Sequence, residues 1–168
     1  MYLDTESPDI IGLCEIFPKN AMDKESISDL VLPSYMYERL VPDRQGDFGI
    51  VLFVKNYINV SKISIFSENF NESVWCEIIV SQNEKLLVGL IYRSPSSSQQ
   101  NNDMLLSTIN RAIELGYSNY LFFGDFNYKE IDWNSMESTS RCSSPGYQIF
   151  ELSSGQLYFS TCIFTHLF

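Results

Sequence analysis

The stretch from Tyr120 to Asn127 constrains the fold of this chain more than any other. Four large apolar residues, Tyr-Leu-Phe-Phe, run directly into Gly-Asp-Phe-Asn. Such a run is too short for an ordinary helix, and it ends in residues that favour turns, so it predicts a buried strand. In open α/β sheets, ligands bind beyond the carboxyl ends of the strands. Asp125 and Asn127 would lie at such an end.

These two polar residues suggest an ion site. They alternate around Phe126, so in an extended backbone both side chains would point the same way while Phe126 faces the core. One carboxylate and one amide in a shared cleft suit a hard cation such as Mg²⁺ and the phosphate that it binds. Gly, Asp and Asn are also the common residues of turns, so a turn without a ligand is the alternative interpretation.

Length and composition predict one globular domain. The chain has 168 residues, of which 45% are hydrophobic and 14% aromatic, enough for a sizeable core. Its apolar runs are far shorter than a membrane span and its amino end lacks a signal-peptide pattern, so we expect an intracellular protein without a membrane partner. The four cysteines form no Cys-x-x-Cys pair, which indicates reduced core thiols rather than a zinc site or disulfides.

The charge of the chain argues against tight binding of nucleic acid. There are 21 acidic and 11 basic residues, a formal net charge of −10, and no block of Lys or Arg offsets it. Such a surface repels phosphate. A divalent metal in an acidic cleft would reverse this locally, because the ion is then the largest charge in the site. The charge therefore weighs against strong DNA affinity more than against metal-assisted phosphate chemistry.

Most of the chain before Tyr120 is predicted to form strands. Ile10–Cys14 reads as a short buried strand with Glu15 just past its end, although a Glu in that position is also typical of a solvated loop. Residues 19–30 are expected to form a loop with a short helix near Asp23. Further strands are predicted at Tyr35–Leu40, Phe48–Lys55 after a turn at residues 45–47, Ile58–Ile65 near a sheet edge, Ser73–Val80 and Lys85–Tyr92.

A hairpin and a helix follow from the pattern between residues 73 and 116. Ser81–Glu84 is a four-residue turn, so the strands on either side of it should pair as a β-hairpin. After the polar loop Ser94–Gln100, we expect a helix with its N-cap at Asn101 or Asn102 and its end at Gly116. The face of this helix that packs on the core should carry Leu105, Ile109, Ala112 and Ile113. A series of strands followed by a strand–helix–strand unit predicts an α/β sandwich with mixed sheets.

Three separate motifs carry a resemblance to a known superfamily. They are Pro-Asp-Ile-Ile-Gly-Leu-Cys-Glu ending at Glu15, Leu-Ile-Tyr-Arg-Ser-Pro around Tyr92, and Gly-Asp-Phe-Asn-Tyr-x-x-Ile-Asp-Trp around Asp125. In this order they resemble the endonuclease/exonuclease/phosphatase superfamily. The Tyr-Arg-Ser-Pro and Asn-Tyr-Lys-Glu-Ile-Asp-Trp stretches are most similar to the endonuclease domains of non-LTR retrotransposons, and the resemblance covers roughly residues 8–155.

The resemblance implies a four-layer α/β/β/α sandwich with mixed sheets that cleaves phosphodiester bonds. Its cofactor would be Mg²⁺, with Mn²⁺ as an alternative, and DNA would be the ancestral substrate. By position, Glu15 would be a metal ligand and Asp125 would orient or deprotonate the attacking water. Asn127 would hold the phosphate and the water, and Tyr92 and Arg93 would contact the substrate. Such residues fit the chemistry, since a carboxylate-held ion neutralises developing charge while neutral donors hold oxygens without repulsion.

Other parts of the family pattern are missing from this sequence. The family begins with a strand that carries an Asn beside the metal, and it ends with an Asp and a Ser-Asp-His. We therefore expect a domain over residues 1–155 that is truncated at both termini, followed by a tail of uncertain structure at 156–168. The only histidine, His166, has no Asp before it and is interpreted as a tail residue. Ile16 replaces the usual Thr, a change that the fold could tolerate.

The first functional hypothesis is an endonuclease-like domain of retrotransposon origin, a fragment with impaired or no activity. A second hypothesis keeps the fold and changes the substrate to a phosphoester that is not nucleic acid; the retrotransposon-like stretches count against it. The third is a non-enzymatic fragment or interaction module, which the missing ends and the acidic balance favour.

Overall fold

The computed structural model describes residues 8–16, 32–40, 49–63, 70–133, 135, 137–139, 143–153 and 158–161. Within them the chain forms strands in three sheets and two helices. The strands are β1 Ile10–Cys14, β2 Tyr35–Leu40, β3 Ile50–Lys55, β4 Val60–Lys62, β5 Ser73–Ile79, β6 Lys85–Tyr92, β7 Asn119–Asp125, β8 Ile131–Asp132, β9 Glu137–Ser138 and β10 Tyr158–Thr161. The helices are α1 Gln99–Glu114 and α2 Pro145–Ser153.

The first sheet has the strand order β1-β3-β2, and both of its strand pairs are antiparallel. Its middle strand, β3, is buried from Ile50 to Val54. Both faces of β3 are covered, which explains why its sequence is a continuous apolar run rather than an alternation. The predicted strands Ile10–Cys14 and Tyr35–Leu40 have the expected bounds. Of the predicted strand Phe48–Lys55, the first residue lies outside the described part of the chain.

The second sheet is mixed, with the order β10-β7-β6-β5-β4. The strand predicted from the stretch Tyr120–Asn127 is β7, which runs parallel to β6 and to β10. The predicted hairpin is confirmed, because β5 and β6 pair antiparallel across the turn at residues 81–84. The predicted edge strand is confirmed as β4, although only Val60–Lys62 of the range Ile58–Ile65 is a described strand. A separate two-stranded sheet joins β8 and β9.

The two larger sheets pack face to face, and both helices cover the far side of the second sheet. One buried cluster lies between the sheets and includes Ile50, Leu52, Val54, Val88, Leu90 and Phe123. The cluster on the helix side includes Leu87, Ile91, Leu105, Ile109, Phe122 and Ile149. The outer face of the first sheet carries a small third cluster of Ile11, Val51 and Phe53. One mixed sheet, two antiparallel sheets and two helices among the described residues confirm the α/β class, while the four-layer arrangement and the domain bounds stay predictions.

Helix α1 begins earlier than its sequence pattern predicted. The N-cap is Ser98, whose extended backbone precedes the helix and whose hydroxyl accepts a hydrogen bond from the amide of Asn101 at 3.2 Å. The predicted N-cap at Asn101 or Asn102 is therefore wrong. Gln99 and Gln100 begin the helix upstream of the predicted start, because glutamine is well tolerated in helical backbone. The helix ends as predicted, with Gly116 at a left-handed φ of 69°.

Several expectations lie outside the described residues. These are the turn at residues 45–47, the helix near Asp23, and the placement of Cys142, Cys162 and His166. The other two cysteines, Cys14 and Cys76, are buried reduced thiols as predicted. Neither described helix has the length and apolar character needed to cross a membrane.

Candidate active site

Alternation along two neighbouring parallel strands directs the predicted site residues toward the first sheet. In β7, Leu121 and Phe123 pack between the sheets while Phe122 faces the helices. Asp125 follows with the same parity as Leu121 and Phe123. Tyr92, at the end of β6, packs in the cluster between the sheets and is paired in register with Asp125. Both residues thus lie at the carboxyl edge of the second sheet, on the side of the first.

Glu15 reaches the same place from the first sheet. Cys14 packs between the sheets, so continued alternation would turn the next side chain away from them. Instead Glu15 has a left-handed φ of 56°. Its Oε1 atom accepts a hydrogen bond of 2.6 Å from the hydroxyl of Tyr92. A carboxylate that the sequence places 77 positions before Tyr92 therefore meets it at the interface of the two sheets.

A glycine allows β1 to approach β7 closely enough for this contact. A Cβ atom on Gly12 would lie 2.5 Å from Cε2 of Phe123 and 2.6 Å from Cδ1 of Leu90. Real Cβ atoms do not come so close to other carbon atoms, so a side chain at this position would require Leu90, Phe123 or the sheets themselves to shift. Gly12 therefore sets the distance across which Glu15 faces the second sheet.

The backbone at Asn127 departs from the extended form that the sequence suggested. Its φ is 50°, so the alternation expected through Asp125 and Asn127 does not hold, although Phe126 is buried in the core as predicted. The Asn127 amide donates to Oδ1 of Asp125 at 3.2 Å, and its side-chain Nδ2 donates to the carbonyl of Arg93 at 2.9 Å. Of the described non-glycine residues, only Ser34, Glu15 and Asn127 have positive φ. Backbone strain of this kind is common at functional sites.

The charges at this edge of the sheet perturb one another. Burial raises the pKa of the Asp125 carboxyl, and the Glu15 charge adds to this rise, while hydrogen bonds from Asn127 and the Arg93 charge oppose it. Burial also raises the pKa of Tyr92, with the hydrogen bond to Glu15 and the charges of Glu15, Asp125 and Glu72 acting in the same direction. Tyr92 is therefore a neutral donor at physiological pH. Glu15 is therefore close enough to Asp125 for its charge to raise the pKa of that carboxyl.

Arg93 is buried beneath this edge of the sheet. Only 7% of the residue is exposed. Its Nε donates to Oδ1 of Asn102 at 2.7 Å, and its Nη1 donates to the carbonyls of Asn127 at 2.9 Å and Phe126 at 3.3 Å. The guanidinium also stacks on the ring of Tyr128, 4.1 Å from its centroid. The role predicted for Arg93, contact with a substrate, stays a prediction beside this set of internal contacts.

Sequence reasoning missed a third carboxylate beside Tyr92. The carbonyl of Glu72 accepts a hydrogen bond of 2.9 Å from the Tyr92 amide. Its Oε2 accepts one of 3.3 Å from Nδ2 of Asn101 on helix α1. Glu72 precedes β5 instead of following a strand, so a search at carboxyl ends overlooks it. The hairpin was the available signal, because the start of β5 lies beside the end of β6 when the two pair antiparallel.

The residues present are compatible with a divalent cation. Glu15 and Asp125 offer carboxylate oxygens, the donors that Mg²⁺ prefers, and this ion commonly uses one or two carboxylates together with water and substrate phosphate. No cluster of three or more His, Cys, Asp or Glu side chains suited to a metal occurs in the described ranges. The protein's own part of such a site would thus be small, and a phosphate would complete it.

Comparison with known proteins adds a family match. Residues 86–154 match the family model described as endonuclease-reverse transcriptase. The matched segment includes Tyr92, Asp125 and Asn127 and excludes Glu15. A comparison with curated proteins found no match. The family match supports an endonuclease/exonuclease/phosphatase-type domain related to retrotransposon endonucleases, as the three motifs predicted.

Proposed function

We propose that this chain is a Mg²⁺-dependent phosphodiesterase domain of the endonuclease type, with DNA as its substrate. One observation carries the proposal. Glu15 and Asp125 come from different sheets, yet Glu15 accepts a hydrogen bond from Tyr92 and its charge raises the pKa of Asp125. Carboxylates that can hold a metal ion beside a neutral donor are suited to hydrolysis of a phosphodiester. The family match favours nucleic acid over other phosphoesters.

Each residue has a defined part in the proposed reaction. Glu15 would hold the divalent cation, which when bound neutralises charge on the phosphoryl oxygens. Asp125 would accept a hydrogen bond from the attacking water and orient it, and its raised pKa makes the carboxylate a better proton acceptor. Tyr92, which stays protonated, would donate to a phosphate oxygen. Asn127 would help to hold the phosphate and the water with its amide.

The composition of the chain sets an upper limit on the proposed activity. The resemblance implies a histidine that stabilises charge at the phosphate, and the only histidine in this sequence is His166. Loss of one member of a cooperative catalytic set commonly lowers the rate by several orders of magnitude. The net charge of −10 also weakens nonspecific attraction to DNA. We therefore propose slow turnover that is most easily seen at low salt.

Nicking of supercoiled plasmid tests the proposal. The purified chain should convert supercoiled to relaxed plasmid with Mg²⁺ or Mn²⁺ and not with EDTA. Asp125→Asn and Glu15→Gln should each lower the rate at least about 100-fold. The matched controls are Asp103→Asn and Glu114→Gln, which remove exposed acids of helix α1. Equal activity of Asp125→Asn and Asp103→Asn would refute the proposal.

Two further measurements separate the proposal from its alternatives. A panel of phosphoesters that are not nucleic acids distinguishes an endonuclease from another phosphoesterase of the superfamily, since we expect turnover of DNA alone. Calorimetric titration with Mg²⁺ distinguishes an enzyme from a non-enzymatic module. We expect binding that Glu15→Gln weakens and Glu114→Gln does not. A chain with no Glu15-dependent binding and no nicking is not a metal-dependent nuclease.

A further inference from the structure

The side chain of Arg93 connects three separate parts of the fold. Asn102 belongs to the first turns of helix α1, and its Oδ1 accepts the Nε hydrogen bond at 2.7 Å. The carbonyls of Phe126 and Asn127 belong to the segment that leaves β7 and accept from Nη1. Tyr128 supplies the aromatic face on which the guanidinium lies. A planar group with several fixed donors is suited to such simultaneous contacts.

Backbone contacts of the same residue fix that segment a second time. The Arg93 amide donates to the carbonyl of Asp125 at 2.7 Å. The Arg93 carbonyl accepts from Nδ2 of Asn127 at 2.9 Å. Side chain and main chain of one residue therefore hold both Asp125, the last residue of β7, and Asn127 just beyond it. This matters because Asn127 has a φ of 50°, a left-handed conformation that asparagine adopts more readily than most residues and that these contacts hold in place.

Burial limits the ways in which Arg93 could meet a ligand. The residue is 7% exposed and Asn102 is 8% exposed. A buried charge is tolerated when hydrogen bonds satisfy it, and the acceptors here are one amide oxygen and two backbone carbonyls. Asn102 is the only one of these acceptors that belongs to a side chain, so it is the group through which sequence can change the orientation of the guanidinium.

We propose that Arg93, oriented by Asn102, is a positioning residue that holds the Asp125–Asn127 segment in its site conformation and does not contact substrate. The inference rests on the proposed function for its catalytic meaning. It replaces the substrate contact that the motif alone suggested for Arg93 with an internal role. It also gives helix α1 a part in the site, since Asn102 of this helix accepts a hydrogen bond from Arg93, which in turn donates to the segment after β7.

Hydrogen exchange tests this inference without requiring activity. In Asn102→Leu, which has a similar volume and no acceptor, the amides of residues 125–128 should exchange about 10- to 100-fold faster, as expected for loss of one hydrogen bond to a charged group. In Asn102→Asp, which keeps an acceptor oxygen, protection should return to within a few-fold of the parent chain. Protection in β5 should stay unchanged in both variants. Asn110→Leu, an exposed asparagine of the same helix, is the matched control.

The outcomes distinguish this inference from the proposed function. Unchanged exchange at residues 125–128 in Asn102→Leu would overturn the positioning role, and so would an equal loss of protection in β5, which would indicate a merely structural contact. If the parent chain nicks DNA, Asn102→Leu should lower kcat and leave KM within about twofold, whereas a raised KM with unchanged kcat would overturn the inference. If the parent chain does not nick DNA, the proposed function fails while the exchange result still decides the role of Arg93.

Discussion

Replacement of Gly124 by alanine should damage the fold at the residue before Asp125. Gly124 lies near the carboxyl end of β7, between two parallel neighbours, and is paired with Ile91 of β6 and Thr161 of β10. Its φ is 135°, a value that residues with a side chain rarely adopt. An added Cβ would overlap the carbonyl oxygen of Ile91 and would lie 2.9 Å from its carbonyl carbon and 3.0 Å from its nitrogen. The strands can accept this atom only by moving apart.

The size of the effect follows from comparison with a second glycine. Gly116 also has a positive φ, 69°, but an added Cβ there meets nothing within 4 Å. Gly116→Ala should therefore show conformational strain alone, about 1–2 kcal/mol. Gly124→Ala adds a backbone clash to strain of about 1–3 kcal/mol, so its total should reach about 4 kcal/mol or more. For a chain of this size, Gly116→Ala should lower Tm by about 2–8 °C, and the roughly 4 kcal/mol of Gly124→Ala corresponds to a loss of about 8–16 °C.

Thermal unfolding of the two variants measures this difference directly. Calorimetry on Gly124→Ala, Gly116→Ala and the parent chain at pH 7 gives the ranking, and chemical denaturation gives the free energies of unfolding. Soluble Gly124→Ala should also lose metal-dependent nicking, because the clash displaces Asp125. Equal losses of stability in the two variants would refute the argument from crowding. A Gly124→Ala variant as stable as the parent would refute the parallel pairing of β6 and β7 at this point.

Two further predictions concern ionisation. The pKa of Tyr92 is raised above 10.0 by burial and by Glu15. The stability that the protonated phenol contributes is therefore complete below about pH 10 and is lost as the pH rises above it. In denaturant titrations above about pH 10, Tyr92→Phe should lose stability less steeply than the parent chain. The pKa of Asp125 is raised from 3.8, mainly by burial, so the charged form opposes folding at pH 7; Asp125→Asn should be more stable than the parent at pH 7, and the gain should vanish below about pH 4.

Either result could contradict the geometry. Identical alkaline profiles for Tyr92→Phe and the parent would mean that this phenol ionises with ordinary ease. Tyr117→Phe serves as a positive control, because burial and Glu77 raise the pKa of Tyr117 to about 12 at the opposite edge of the sheet. This variant should also lose stability less steeply than the parent chain at alkaline pH. A gain in stability for Asp125→Asn that persists at pH 3 would show that the effect has another origin than charge burial.

Much of the fold could be predicted because local pattern and packing agree in it. The strand β7, the hairpin of β5 and β6, and the buried face of α1 each have a sequence period that matches the surface they bury. The N-cap of α1 was misplaced because Asn101 and Asn102 are favourable N-cap residues that compete with Ser98. Only the hydrogen bond from the Asn101 amide to Ser98 distinguishes them. An N-cap contact of this kind contributes about 0.5–2 kcal/mol to the free energy of unfolding.

The candidate site was predictable in its members and not in its geometry. Strand ends pointed to Glu15 and Asp125, yet nothing local predicts the left-handed backbone at Glu15, and the residue type of Asn127 permits that conformation without requiring it. Those conformations arise from tertiary contacts, such as the bond from Nδ2 of Asn127 to the Arg93 carbonyl. The same holds for the burial of Arg93, because motif reasoning assigns a cation to phosphate unless internal acceptors are known. Glu72 was missed since only the strand pairing brings it to this edge.

The absence of a side chain at Gly12 has a consequence for how such a site evolves. Glu15 and Asp125 are connected through hydrocarbon, across Leu90 and Phe123, and not through a shared loop. A tightly filled interior transmits small changes of volume as rigid shifts of one layer over another. Adding or removing a single methylene there would slide the two acids relative to each other, and a misplacement of about 1 Å can lower a rate about 100-fold. The apolar packing around Gly12, Leu90 and Phe123 therefore determines how far apart the two acids lie.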